Sequence, residues 1–194
     1  MREPVDVHLL PGDFRFAGAG TRLHTLLGSC VAITLWHPAR QIGGMCHYLL
    51  PGRDPATAGS ELDGRYAEDA VAMFRRETDR HGTGPGEYVV KVFGGADQFP
   101  GLAGPRPSIA AQNARAGPDL LTREGFTVTT CRLGGRGSRR LIFELATGHV
   151  WLRSLRARDD RTPDDGSFDD RSFDDRSFGS RVPAPGDAHP AVPR

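Results

Sequence analysis

The stretch Thr25–Pro51, TLLGSCVAITLWHPARQIGGMCHYLLP, decides how the chain is read. Val31–Trp36 (VAITLW) is rich in β-branched and aromatic side chains, and Ile42–Leu50 returns as a second strand. Between them His37-Pro38-Ala39-Arg40 reads as a turn with proline at its second position, so the two strands form an antiparallel hairpin. A turn centred on Pro38-Ala39 pairs residue 37 with residue 40 and sets Cys30 directly opposite His47. Opposed side chains share a face with Cβ atoms about 4.5–5.5 Å apart, the reach that a thiol and an imidazole need to exchange a proton. The register rests on the turn: a slip of one sends His47 to the other face, and an ordinary type I turn is not the favoured two-residue hairpin connection.

Working outward, Val5–Leu10 is strand-like and is turned by Pro11-Gly12. A helix fits Arg65–Arg80, where Tyr66, Ala70, Met73 and Phe74 fall at i, i+4, i+7 and i+8. Tyr88–Phe93 (YVVKVF) reads as a buried strand ending in Gly94-Gly95-Ala96, where missing side chains let another backbone or a ligand come close. Ser108 caps a short helix running to about Arg115, and Gly117-Pro118 breaks it. Phe126–Leu133, Arg139–Leu145 and His149–Leu155 are strands again. Sheet dominates, with about two helices, which is an α+β class.

The chain has 194 residues, 38% of them hydrophobic, enough for one domain with a sizeable core. That domain is expected over residues 1–157. From Asp159 the sequence runs DDRTP, DDGSF, DDRSF, DDRSF, then GSRVPAPGDAHPAVPR, and residues 158–194 hold nine acidic against six basic side chains. Such a tail buries too little apolar area to offset its ordering entropy and is read as disordered. With 25 basic and 24 acidic residues overall, charge gives no warrant for a nucleic-acid partner. The run RLGGRGSRR (132–140) lacks interleaved aromatic residues and reads as a solvated hairpin loop. No run approaches the roughly 18 apolar residues of a membrane span, and Met1-Arg2-Glu3-Pro4 does not open a signal peptide, so a cytoplasmic protein without membrane insertion is expected. Three cysteines without a CxxC pair are expected to be reduced thiols.

A thiolate is the nucleophilic form of cysteine, and a neighbouring imidazole lowers its pKa and later activates water. Cys30 and His47 are therefore the candidate pair. Gly28 and Ser29 expose the sulfur and aim backbone N–H groups at a developing oxyanion, and Thr25 orients the imidazole. By itself a lone cysteine is more often a small buried hydrophobe, which is the reading given to Cys46 and Cys131, with Cys46 pointing away from the Cys30–His47 face. A zinc site from Cys30, Cys46, His47 and His24 is disfavoured, because adjacent Cys46 and His47 point to opposite faces. No metal or cofactor is called for.

The Thr25–Pro51 stretch resembles the signature of the CheD family of chemoreceptor glutamine deamidases. The likeness continues in RYAEDAV from Arg65, KVFGGAD at Lys91–Asp97, SIAAQNA around Asn113, LGGRGSRRLIF and TGHVWLRSL, covering about residues 5–157. The resemblance implies a three-layer α/β/β sandwich and a papain-like site, with Cys30 matching the catalytic Cys, His47 the catalytic His and Thr25 the third position. It implies hydrolysis of glutamine carboxamides on the cytoplasmic helices of chemoreceptors, without a cofactor, by a protein with a CheC-type phosphatase as a partner type. Gly94, Gly95 and Asn113 are expected on a substrate or partner surface, and nothing argues for more than a monomer. The chain departs from the family pattern at Ala110 and Gln112, where Gly and Arg are common, and at Arg132, usually Asp; these bear on recognition more than on chemistry. Two other readings stay open: a non-catalytic adaptor that keeps the fold, and a cysteine amidase acting on another protein's glutamines.

Overall fold

The computed structural model describes residues 3–54, 61–98 and 107–155. The repeat tail expected to be disordered, and the boundary at 157/158, lie outside the described residues. In chain order the elements are β1 (Val5–His8), β2 (Phe14–Gly18), β3 (Thr21–Leu27), β4 (Val31–His37), β5 (Ile42–Tyr48), α1 (Ala67–Arg80), β6 (Val89–Gly94), α2 (Ile109–Arg123), β7 (Val128–Leu133), β8 (Ser138–Glu144) and β9 (Val150–Leu155). Five strands form one sheet in the order β2-β5-β4-β6-β7, and four form a second in the order β1-β3-β8-β9.

Central strand β4 shows why this becomes three layers. Val31–Leu35 is buried on both faces, as a near-continuous apolar run demands when each face must be covered. Val31, Ile33 and Leu35 pack with Cys46, Tyr48, Val90 and Val92 under the helices, against Ala70, Val71 and Phe74 of α1 and Leu121 of α2. Ala32 on the opposite face joins Met45 and Phe93 against Leu23, Leu27, Leu141 and Phe143 of the second sheet. Helices, five-stranded sheet and four-stranded sheet are therefore stacked, the α/β/β sandwich expected, with two cores divided by β4 and its neighbours. No described helix is long and apolar enough to cross a membrane.

The hairpin departs from its expected register. His37 pairs with Ile42 and Ala32 with His47, so the connection has four residues, Pro38–Gln41, instead of the two-residue turn on Pro38-Ala39. Gln41 takes a left-handed conformation (φ 50°) and its N–H bonds the His37 carbonyl at 2.9 Å, closing the longer loop. Cys30 therefore does not lie directly opposite His47. The shift in pairing is two residues, and because side chains alternate with period two, His47 and Cys46 keep the opposite faces expected of them.

Two further readings are corrected. Helix α2 does not break at Gly117-Pro118 but runs through both to Arg123, then stops at Glu124 and Gly125 (φ 82°). Pro118 removes one helical hydrogen bond, but Ala110, Asn113, Gly117 and Leu121 form one buried stripe on the sheet, and that packing holds the helix together. Gly117 has a positional reason, since a Cβ there would lie 2.6 Å from the Tyr48 hydroxyl. Cys131, read as a packing residue, is exposed on edge strand β7, whereas Cys46 is fully buried on the helix side, away from His47.

Candidate active site

His47 stands on β5 facing the layer between the sheets and is 2% exposed. Thr25 stands on β3 of the other sheet, between the buried residues Leu23 and Leu27, so the two sheets bring the pair together. Its hydroxyl oxygen lies 2.7 Å from His47 Nδ1 and 2.9 Å from the Leu9 carbonyl. The carbonyl can only accept, so the single Thr25 proton goes to Leu9, and the bond to His47 needs an N–H on Nδ1. The neutral ring therefore carries its proton on Nδ1 and leaves the lone pair on Nε2, the arrangement a general base requires. Nε2 is buried and has no hydrogen-bond partner among the described residues.

Burial holds the His47 pKa down to about 4, opposed by the Asp13 carboxylate and the Leu9 carbonyl, so the ring is neutral near pH 7. The backbone of His47 is clamped on both sides by the loop before β2: Gly12 N–H donates to its carbonyl at 2.7 Å, and its own N–H donates to Asp13 at 2.9 Å.

Cys30 precedes β4 by one residue and is half-buried. The ladder that pairs Ala32 with His47 ends at Val31–Tyr48, so Cys30 stands one residue beyond it, two positions along the chain from the residue opposite His47. The thiol is not hydrogen-bonded to Nε2. Burial pushes the Cys30 thiol up, opposed by a hydrogen bond with the Ser29 side chain. Thiol and imidazole are thus both neutral at rest and no hydrogen bond joins them; hydrogen bonds of this kind commonly tighten only when substrate is present.

The turn Gly28-Ser29-Cys30 is held by three successive carbonyls. The Gly28 carbonyl accepts from Ala96 N–H at 2.9 Å, the Ser29 carbonyl from Asn113 Nδ2 at 3.2 Å, and the Cys30 carbonyl from Gly95 N–H at 2.8 Å. Gly94 and Gly95 adopt positive φ (116° and 62°); a Cβ on Gly94 would strike the Cys30 carbonyl, and one on Gly95 would sit 2.9 Å from Ala114. Gly94, Gly95 and Asn113, expected on a substrate or partner surface, are all buried and pack against the backbone that carries Cys30.

The Arg132–Arg140 run is likewise more than a solvated loop. Gly134, Gly135 and Gly137 all take positive φ, and the half-buried Arg139 guanidinium donates to the carbonyls of Arg132, Gly134 and Gly94. The open depression of about 810 Å³ lined by Gly12, Asp13, Arg53, Asp63 and Met73 includes neither Cys30 nor His47. Sequence reasoning missed the Leu9 carbonyl, which no side-chain pattern could reveal, and the Asn113 clamp, for which a carboxamide in the middle of an apolar helix stripe was the available signal.

Comparison with known proteins follows the same line. The family model for CheD chemotactic sensory transduction matches residues 49–154. The chain is 46% identical over 158 residues to a probable chemoreceptor glutamine deamidase CheD of Pseudomonas fluorescens, covering 79% of this chain and 88% of that protein. It is 45% identical over 148 residues to a probable chemoreceptor glutamine deamidase CheD 3 of Dechloromonas aromatica (76% and 86% covered), and 34% identical over 157 residues to a Leptospira interrogans relative similarly described (76% and 92%). With more than half of its length matched by the family model and such relatives covered nearly end to end, the chain belongs to the CheD family.

Proposed function

We propose that this chain hydrolyses the side-chain carboxamide of glutamines on chemoreceptors, leaving glutamate and ammonia. The observation that supports it most is the Leu9–Thr25–His47 relay, which keeps the proton on Nδ1 and leaves Nε2 bare on β5, with Cys30 two positions before the residue opposite His47. Nε2 takes the thiol proton as sulfur bonds to the carboxamide carbon and the carbonyl electron pair moves to oxygen. The N–H groups of the Gly28-Ser29-Cys30 turn meet that oxyanion. Its collapse breaks the C–N bond, and the imidazolium hands its proton to the departing ammonia. A thioester remains on Cys30. Water, deprotonated by Nε2, then attacks the thioester carbon; the C–S bond breaks, the sulfur regains its proton, and the product is a carboxylate.

The substrate glutamine is common, so selection comes from docking of a receptor's cytoplasmic helices, and the enzyme acts as a cytoplasmic monomer with a CheC-type phosphatase as a regulatory partner. The test is mass spectrometry of a cognate receptor's cytoplasmic fragment after incubation with the wild-type chain and with His47→Ala. Glutamine-to-glutamate conversion by wild type that His47→Ala loses is the expected result. No conversion by the wild type, with binding retained, would make the chain an adaptor; conversion that survives His47→Ala would remove the imidazole from the mechanism.

A further inference from the structure

Asn113 is fully buried in the second turn of α2, an unfavourable place for a residue of modest helix propensity with two polar ends to satisfy. Its Nδ2 donates to the Ser29 carbonyl at 3.2 Å and to the Leu49 carbonyl at 2.6 Å. Its Oδ1 is buried with no hydrogen-bond partner among the described residues. Its own backbone carbonyl accepts from the Tyr48 hydroxyl at 2.6 Å. One amide nitrogen thus joins the residue before Cys30 to the segment two residues beyond His47, and the helix is tied to β5 at that point. A group placed at this cost, with an orphaned oxygen, is held for what its nitrogen does.

A trans peptide is planar, with its C=O and N–H pointing in opposite directions. Holding the Ser29 carbonyl inward against α2 therefore turns the N–H of the same peptide, that of Cys30, outward. The Gly28 carbonyl, drawn inward by Ala96, does the same for the N–H of Ser29. We propose that Asn113 is a positioning residue for deamidation: by fixing the Ser29 carbonyl it aims the Cys30 N–H at the oxyanion formed on the substrate carboxamide. This rests on Cys30 being the nucleophile and adds the residue that shapes the hole beside it.

The test uses the full chain with Asn113→Ala and Asn113→Ser, each followed by receptor deamidation and by the rate of Cys30 alkylation with iodoacetamide across pH. Alkylation displaces iodide at a saturated carbon and builds no oxyanion, so it reports the thiol and His47 alone. Deleting a direct oxyanion donor costs about 10²–10³ in kcat, and loosening one costs less, so a fall in kcat of about tenfold to hundredfold is expected, with KM and the alkylation profile unchanged. Wild-type kcat in the variants overturns the proposal, and so does a parallel loss of kcat and alkylation, which would make Asn113 a general prop for the site. Should Asn113→Ala fail to fold, Asn113→Ser carries the test, because its hydroxyl can turn back onto the Ile109 carbonyl of the helix. Failure of the underlying reading looks different: Cys30→Ala would then turn over receptor at the wild-type rate, whatever Asn113 does.

Discussion

Replacing Thr25 with valine keeps the shape of a β-branched side chain between the sheets and deletes one oxygen. That oxygen takes part in two contacts, at 2.7 Å to His47 Nδ1 and 2.9 Å to the Leu9 carbonyl. Losing it strands the Nδ1–H of a buried ring, and a buried donor without a partner costs about 1–3 kcal/mol. The Leu9 carbonyl stays in place and already raises the proton affinity of His47, so the ring keeps a second acceptor within reach and the cost falls in the lower part of that range. What reaches kcat is the part of the Nδ1–H bond that strengthens as the ring becomes cationic in the transition state; at about 1–2 kcal/mol that is about five- to thirtyfold. Thr25 is only 5% exposed and meets no solvent-borne substrate, so KM is expected to hold. The assay is steady-state ammonia release from a receptor fragment by Thr25→Val and Thr25→Ser. Serine retains the oxygen and should retain the rate. Wild-type kcat in Thr25→Val, or a serine variant as slow as the valine one, would refute the relay.

Three other outcomes follow from the same structure. Burial lowers the His47 pKa from 6.5 to about 4, so the unfolded chain binds more protons than the folded one between those values. Stability from this group is complete above about pH 6.5 and is lost as pH falls towards 4, on the order of 3 kcal/mol in all; urea unfolding across pH 4–7 should show this slope in wild type and lose it in His47→Gln. Native alkylation followed by peptide mapping should label exposed Cys131 and half-buried Cys30 and spare Cys46, whose thiol burial pushes up to about 12; early labelling of Cys46 would contradict the burial of β5. Phe74 is fully buried on α1, edge-on to Phe14 with ring centroids 4.8 Å apart, and Phe74→Ala should cost about 3–5 kcal/mol of stability by denaturant titration while leaving kcat per folded molecule intact.

What could be read in the residues was governed by period. Alternation in Ile42–Tyr48 put His47 and Cys46 on opposite faces, and that held through a two-residue change of register because faces repeat every second residue. The length of the turn was not readable: Gln41 adopts a left-handed conformation that glycine or asparagine would have advertised, and His-Pro-Ala-Arg-Gln carries neither. Strands β2 and β3 went unread although Leu23, Thr25 and Leu27 alternate inward, since Gly18-Ala19-Gly20 and interspersed charged residues blur the pattern. Helix α2 outlasted Pro118 because its buried stripe, a tertiary property, outweighed a local breaker. The Cys–His–Thr set is legible as residue types; Thr25 and His47 meet at 2.7 Å, and Cys30 stands one residue before β4. Asn113 and the Gly94-Gly95 pair were seen but given the wrong side of the surface, because a carboxamide and two glycines signal closeness to something without saying whether that is substrate or the chain's own backbone.

Whether Cys30 attacks the carboxamide with His47 Nε2 as base is decided by glutamate formation on a receptor fragment by Cys30→Ala and by a Cys131→Ala control, with folding of both checked by circular dichroism. Cys30→Ala should form no glutamate above the no-enzyme background while Cys131→Ala matches wild type. Glutamate formation by folded Cys30→Ala at the wild-type rate would contradict attack by this thiol.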